Sequence, residues 1–154
     1  MPDFDKEFVK THGGPIQYKG IELIGFDKVH VNKNFRVTVN MISKNSEWRQ
    51  GIKLKVTKGN LKSQDVDLSG KNFILWEELF RDGKKEVYIG NTKDNTLLVW
   101  NAWDHGDGVT QSWLGGAAMI REKVDDNHYI YKCNDGHPDD NFDDLVFEIF
   151  IENL

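Results

Sequence analysis

Hydrophobic and polar residues alternate over several short stretches of the chain, a period-two pattern that indicates a strand buried on one face. Residues 35–41 and 52–56 show the pattern most clearly, and the polar segment 43–50 separates them. We therefore predict a strand in each stretch. Because the two strands follow each other along the chain with a polar connection, we expect them to be neighbours in one antiparallel sheet.

Other apolar runs predict further strands. Residues 96–103 are apolar on both faces, which is typical of a central strand. Residues 73–80 are compatible with a helical turn or a strand, and we favour a strand. Shorter strands are predicted at 21–24, 87–89 and 129–133. In the last apolar run, the side chains that we expect to point inward are Leu145, Phe147, Ile149 and Ile151.

Turn signals separate these strands at short spacing. Asp82-Gly83 predicts a hairpin turn, Gly59-Asn60 and Asp94-Asn95 predict further turns, and residues 61–72 are predicted to be loop. Many short strands without a long amphipathic helix predict an all-β fold, an antiparallel β-sandwich that is jelly-roll-like. The length of 154 residues suits a single domain over residues 1–154.

Composition and charge restrict the classes of partner. The net charge of −5 argues against a nucleic-acid partner, since phosphate binding needs a clustered positive surface. The single cysteine, Cys133, excludes an internal disulfide and a cysteine zinc framework. No apolar run is long enough for a membrane span, and the polar start of the chain is unlike a signal peptide. We therefore expect a cytoplasmic location, unless export uses a route without a cleaved signal. The pattern leaves open whether the chain forms a homo-oligomer.

The acidic segment 133–144, which leads directly into the last predicted strand, is the most specific chemical feature. Carboxylates this close repel each other, and a hard cation such as Ca²⁺ binds several carboxylate, amide and carbonyl oxygens at once. The alternative is a solvated acidic turn. The calcium ligands that we predict are Asp135, Asp139, Asn141, Asp143 and Asp144, with Asp140 turned to solvent or behind the ligands.

This segment resembles the acidic calcium loop that precedes the final strand in β-sandwich modules of bacterial adhesins. The resemblance covers residues 131–151 and implies a calcium loop and a strand there. This chain has Asn141 where that family often has Asp, and Asp143 where it has Asn. The matching positions are Asp139, Asn141, Phe142, Asp144, Leu145, Val146 and Phe147.

A weaker resemblance is to calcium-dependent galactophilic bacterial lectins, whose sugar-binding loop also begins with Asn-Asp and enters the last strand of a small jelly roll. Asn134-Asp135 would occupy this position. The resemblance implies an ion that holds two vicinal hydroxyls of a sugar, with an aromatic ring against the apolar face of the sugar. It makes carbohydrate the favoured partner. We expect Trp103 and Trp113 to be the exposed rings.

A second polar segment, 104–108, could add ligands to the same ion if both loops lie at one end of the sandwich. The residues that we predict to bind the ligand are Asn134, Trp103, Asp104, Asp107, Trp113 and His137. His105 and His137 could instead form a transition-metal site with Asp104 or Asp135, because imidazole suits such metals.

The sequence thus favours a calcium-binding, lectin-like carbohydrate-recognition protein that is not an enzyme. One alternative is a protein-interaction or assembly module in which the acidic loop is only structural. The other is a small metal-dependent hydrolase. Paired carboxylates could also hydrolyse glycosides, but no spacing selects a pair. The sequence contains no Gly-x-Ser-x-Gly elbow, phosphate-binding loop or zinc-protease helix.

Overall fold

The computed structural model describes residues 3–154, and most of them form β-strands. One helix, α1, spans Phe4–Lys10, and a 3-10 helical segment spans Glu77–Gly83. The strands are β1 (Ile16–Tyr18), β2 (Ile21–Leu23), β3 (Asp27–His30), β4 (Asn34–Lys44), β5 (Arg49–Lys55), β6 (Gly59–Ser63), β7 (Ser69–Gly70), β8 (Asn72–Trp76), β9 (Glu86–Thr92), β10 (Thr96–Asp104), β11 (Ala118–Asp125), β12 (His128–Asn134) and β13 (Leu145–Asn153).

Two antiparallel sheets form the body of the molecule. One has four strands in the order β3-β10-β5-β8, and the other has seven in the order β11-β12-β13-β4-β9-β6-β7. The short pair β1-β2 forms a separate hairpin. The predicted all-β antiparallel sandwich is confirmed. Within residues 3–154, no helix is long and apolar enough to cross a membrane.

The hydrophobic core lies between the two sheets and is built from the alternating inward side chains of each strand. Residues from both sheets, among them Ile52, Val99, Val37 and Phe147, belong to one buried cluster. The four side chains predicted to point inward from β13 are buried, at Leu145, Phe147, Ile149 and Ile151. The predicted central strand is also correct, because β10 lies between β3 and β5 and is buried over most of its length.

The expectation that residues 35–41 and 52–56 are paired neighbours is wrong. The strand β4 pairs with β13 and β9 in the seven-stranded sheet, whereas β5 pairs with β10 and β8 in the four-stranded sheet. The connection 45–48 therefore crosses from one sheet to the other. Alternation records which face of a strand is buried, and it is satisfied equally well when two successive strands face each other across the core.

Several local predictions also differ from the structure. Gly59-Asn60 begins β6 instead of forming a turn, and residues 61–72 contain the end of β6 and all of β7. The segment 73–80 is a strand only as far as Trp76 and then a 3-10 helix. Asp82-Gly83 does form a turn with positive φ at both residues, but it links strands of different sheets. The helix α1 falls in the weakly patterned start of the chain.

Candidate metal centre

The core of the sandwich becomes polar at the end where β12 stops and β13 begins. Gln50 and Asn101 occupy inward positions of β5 and β10, and both are almost fully buried. The Asn101 side chain donates a hydrogen bond to the carbonyl of Asn134 (2.9 Å), and Gln50 Nε2 donates one to Asp135 Oδ2 (3.1 Å). The four-stranded sheet thus fixes the start of the acidic segment from across the core.

Asn134 closes the acidic segment into a compact loop. Its Oδ1 accepts a hydrogen bond from the backbone N–H of Phe142 (2.7 Å), and its Nδ2 donates to the carbonyl of Asp139 (2.8 Å). Phe142, at a positive φ of 54°, is buried in a small cluster with Phe4 of α1. The predicted ligand-binding residue Asn134 is therefore 0% exposed, and it holds the loop together.

Asp135 is fully buried, and each of its carboxylate oxygens has two polar partners within hydrogen-bond distance. Oδ1 accepts from the backbone N–H of His137 (3.0 Å) and lies 2.7 Å from His137 Nδ1. Oδ2 accepts from Ser46 Oγ (2.6 Å) and from Gln50. A buried carboxylate needs such partners to offset its lost hydration, so Asp135 is held in one orientation.

Asp144 lies beside Asp135 at the start of β13. Its Oδ2 accepts a hydrogen bond from the Asp135 backbone N–H (2.9 Å), and the side chain is buried. Burial raises the pKa of Asp144 to about 7, and the nearby carboxyl groups of Asp135 and Asp139 act in the same direction. A positive charge placed between Asp135 and Asp144 would favour the ionised form of both.

Asp135, His137 and Asp144 each offer one ligand atom, and these atoms lie within 4.8 Å of one another. In residues 3–154, no other group of three or more His, Cys, Asp or Glu side chains meets this criterion. Two carboxylate oxygens and one imidazole nitrogen are ligands that several divalent metals accept. The group could therefore hold a metal ion.

An open cleft of about 490 Å³ borders this group. The residues that line it come from the β4–β5 connection and from the acidic loop: Lys44, Asn45, Ser46, Glu47, His137, Asp139 and Asp144. Beside it, the Trp48 ring stacks on the His137 ring, with centroids 3.7 Å apart and planes 22° apart. An ion at the three donors would have the cleft on its open side.

The other carboxylates predicted as metal ligands lie farther from this group or have other partners. Asp139 lines the cleft, and its Oδ1 accepts a long hydrogen bond (3.4 Å) from the backbone N–H of Asn141. The predicted ligand Asn141 is itself exposed. Asp143 accepts a hydrogen bond from Asn45 (2.9 Å). Asp140 Oδ2 accepts hydrogen bonds from the Tyr18 hydroxyl (2.9 Å) and from Lys19 Nζ (3.1 Å), which hold this carboxylate away from the group.

The segment 104–108 lies at the same end of the sandwich, since the His105 ring is 5.6 Å from the Trp48 ring. Its carboxylates, however, bond within their own turn. Asp104 Oδ1 accepts from the backbone N–H groups of Gly106 and Gly108 (2.8 and 3.2 Å), and Asp107 accepts from that of Val109 (3.0 Å). The structure does not bring Asp104, Asp107 or His105 into the candidate metal group.

The two tryptophans predicted to be exposed differ. Trp103 is 2% exposed, so the expectation is wrong for this ring, which occupies an inward position of β10. Trp113 is 47% exposed, as expected, but its Nε1 donates to the carbonyl of Gly25 (2.9 Å) and its ring stacks on Trp100. It lines clefts other than the one beside the metal group.

Sequence reasoning missed the contribution of the β4–β5 connection. Ser46 and Gln50 bind Asp135, and Trp48 covers one face of His137. One signal was available for Gln50, because it lies two residues before Ile52 in the buried phase of β5. A polar side chain in that phase has to find a partner inside the core. No comparable pattern marks Ser46 or Trp48.

No protein-family model matches the chain, and no curated protein sequence matches it significantly.

Proposed function

We propose that the chain is a metal-dependent recognition protein that binds a divalent cation at Asp135, His137 and Asp144. The observation that carries this proposal is the meeting of two buried carboxyl groups and one imidazole beside an open cleft. Three protein donors leave coordination positions free for oxygen atoms of a ligand. Carbohydrate is the ligand class that we propose, as expected from the sequence.

The spacing of the donors supports the proposal. His137 Nδ1 and Asp135 Oδ1 are 2.7 Å apart and share one hydrogen bond. Two donors bound to one tetrahedral ion at about 2.1 Å lie roughly 3.4 Å apart. A cation that replaces the shared proton would therefore require only a small separation of the two side chains. Binding should release protons, because the donors must be deprotonated.

The identity of the ion depends on the imidazole. Calcium, the ion predicted from the sequence, binds 6–8 oxygen ligands, and the group offers two carboxylates and one nitrogen. For calcium, Asp139 and Ser46 at the edge of the cleft would have to contribute oxygens. Imidazole is an ordinary ligand of zinc and other transition metals. We therefore propose a zinc-like metal as the first candidate and calcium as the second.

The cleft is suited to a polyhydroxylated ligand. Two vicinal hydroxyls of a sugar can fill neighbouring coordination positions of an ion and donate hydrogen bonds to the carboxylates that hold it. The cleft also presents Asn45, Glu47 and Asp139, which supply further donors and acceptors. The hydrogen-bonding groups of these residues suit a sugar. In this proposal, the sugar binds only when the ion is present.

Thermal melting of chelator-treated protein, with zinc, manganese or calcium added separately, tests the metal site. A cation that binds only the folded protein adds about 2.7 kcal/mol at a free concentration about 100 times its Kd. We expect zinc to raise the Tm of the wild type and of Asp107→Ala, and to have no effect on the isosteric Asp144→Asn. No shift with any of the cations at millimolar concentration would refute the proposal.

A glycan array, probed in the presence of the active cation and of a chelator, tests the ligand class. Binding that disappears with the chelator and with Asp144→Asn would support metal-dependent sugar recognition. If the cation binds but no glycan does, the metal site stands and the carbohydrate proposal is rejected.

One observation favours a second function, in which His137 acts as a general base in a hydrolase. The buried Asp135 carboxylate holds His137 Nδ1, while the His137 side chain is 37% exposed and lines the open cleft, where a base would meet its substrate. Hydrolysis of an activated ester that persists in chelator, is lost in His137→Ala and is kept in His105→Ala would support this function. Equal rates in the two variants would reject it.

A further inference from the structure

A second cleft, of about 330 Å³, lies on another part of the surface and shares no residue with the metal centre. Helix α1 forms one side of it, and the segments around Phe26 and Trp113 form the other. Three aromatic residues line the cleft, Phe8, Phe26 and Trp113, and Asp5 adjoins it. Trp113 is 47% exposed, and Phe8 and Phe26 are partly buried. Apolar surface concentrated around a concave site in this way marks ligand-binding grooves.

The positions of the rings are fixed by their surroundings. Trp113, at a positive φ of 61°, is held by its hydrogen bond to the carbonyl of Gly25, and Phe26 meets it edge-on with ring centroids 6.4 Å apart. Gly25 forms the floor between the rings. A Cβ atom at this position would lie 3.5 Å from Trp113 Cδ1 and 4.0 Å from Phe8 Cε1.

The carboxylate of Asp5 supplies negative charge to this aromatic cleft. Its Oδ2 accepts a hydrogen bond from the backbone N–H of Gly115 (3.1 Å), whereas Oδ1 is buried without a hydrogen-bond partner within residues 3–154. The Asp3 side chain and the Gly115 N–H lower the pKa of Asp5 and outweigh the opposing effect of burial, so the group is ionised at neutral pH. A buried carboxylate oxygen without a partner is costly, and a positive charge held in the adjoining cleft would offset part of that cost through space.

We propose that this cleft binds a quaternary ammonium group, of the trimethylammonium kind found in choline. Aromatic rings attract cations through the negative charge of their faces, and groups of two or three rings recognise quaternary ammonium ions. Such an ion has no N–H group to donate, which matches a cleft with almost no polar groups besides Asp5 and the rim residue His12. The carboxylate neutralises the ion's charge, and the rings contact its methyl groups. This proposal is independent of the metal-dependent function.

Titration with choline, followed by calorimetry or by NMR shifts of the aromatic rings, tests the proposal. The matched probe is 3,3-dimethyl-1-butanol, which has the shape of choline without its charge. We expect saturable binding of choline at millimolar concentration or below, and binding of the neutral probe weaker by about tenfold or more. Equal affinity for the two probes, or no saturable binding of choline, would overturn the proposal.

Variants place the ligand in the cleft. Asp5→Asn keeps an acceptor for the Gly115 N–H but removes the negative charge, and it should weaken choline binding about tenfold. Phe26→Leu should weaken binding by a similar factor. Asp107→Ala, the control, should bind choline like the wild type. Thermal melting of each variant confirms that it is folded. Unchanged affinity in both cleft variants would overturn the assignment. Co-sedimentation with phosphatidylcholine vesicles, compared with phosphatidylglycerol vesicles, determines whether the same group can also be taken from a lipid headgroup.

Discussion

Two aspartate-rich loops lie at the same end of this sandwich and have opposite environments. In the loop 104–108, the carboxylates bond to backbone N–H groups of their own turn and are partly or largely exposed. In the loop 134–144, Asp135 and Asp144 are buried and bonded to other parts of the chain. Composition alone does not distinguish the two loops.

The difference follows from the phase of the strand that enters each loop. Asp104 continues the outward phase of β10, after Leu98, Trp100 and Ala102. Asp135 continues the inward phase of β12, after Tyr131 and Cys133, which are buried. A carboxylate on the inward phase is placed against the opposite sheet, where Gln50 meets it. The inward phase therefore places Asp135 against the opposite sheet in a dry, organised site, whereas Asp104 lies on the other face of its strand, beyond the last buried residue of β10.

The largest expected difference is between Asp135→Ala and Asp107→Ala. Removing the Asp135 carboxylate takes away the acceptor of Ser46 Oγ, of the His137 backbone N–H and of one of the two hydrogen bonds that the buried Gln50 Nε2 donates, the other being to the Trp48 carbonyl. The free energy of unfolding should fall by about 3 kcal/mol or more. Asp107→Ala should match the wild type within experimental error. Denaturant unfolding measures both. Similar stabilities for the two variants would show that the loops are equivalent.

The pH dependence of stability should separate the loops next. Because the folded pKa of Asp144 is raised to about 7, its contribution to stability is fully present below the pKa of the unfolded chain and is lost as the pH rises through 7. Without metal, wild-type protein should lose about 2 kcal/mol between pH 5 and pH 8 relative to Asp144→Asn. Melting curves of both proteins in chelator measure this. Parallel pH profiles would contradict the assignment.

A smaller effect is expected at the connection that supports the buried loop. Ser46→Ala removes the 2.6 Å hydrogen bond to Asp135 Oδ2, leaving Gln50 as the partner of that oxygen, and also the 3.2 Å hydrogen bond that Ser46 Oγ accepts from the Trp48 backbone N–H. The variant should be less stable by about 1.5 kcal/mol, as for two hydrogen bonds in a partly exposed position. Ser43→Ala, on an exposed serine of β4, is the matched control. A loss no larger than that of the control would show that Asp135 does not depend on this connection.

The smallest expected effect belongs to the exposed loop. The Gly106 N–H is the main cause of the lowered pKa of Asp104; burial opposes it, and the Gly108 N–H adds a weaker lowering effect. Its stabilisation is therefore present above its ordinary pKa and is lost as the pH falls through the lowered value. Asp104→Ala should reduce the Tm slightly at pH 7 and not at all near pH 2. An effect as large as that of Asp135→Ala would remove the contrast between the loops.

The fold class could be predicted from the sequence because alternation is a local consequence of burial. The inward side chains of β13 and the central position of β10 follow from it directly. The assignment of β4 and β5 to one sheet failed because alternation does not specify a strand's partner. The 3-10 segment after Trp76 was missed because Phe80 is buried in either conformation.

The candidate site was predictable to a similar extent. The acidic segment predicted that carboxylates form the metal site. The alternation of neighbouring apolar residues also indicated that Asp135, Gln50 and Asn101 point into the core. The meeting of His137 with Asp144 depends on how the loop closes around Asn134, which no local pattern records. The roles of Ser46 and Trp48 depend on a connection between sheets, so they required the three-dimensional structure.

The stacking of Trp48 on His137 gives the candidate metal centre its own optical signal. Indole fluorescence is quenched by contact with a protonated imidazole, and a metal that takes Nδ1 would change both the charge and the position of that ring. Emission from Trp48 should therefore change when the ion arrives. The four other tryptophans contribute background fluorescence. A Trp48→Phe variant shows only this background, which can then be subtracted from the wild-type emission. Emission from Trp48 would thus report whether a cation occupies the proposed site.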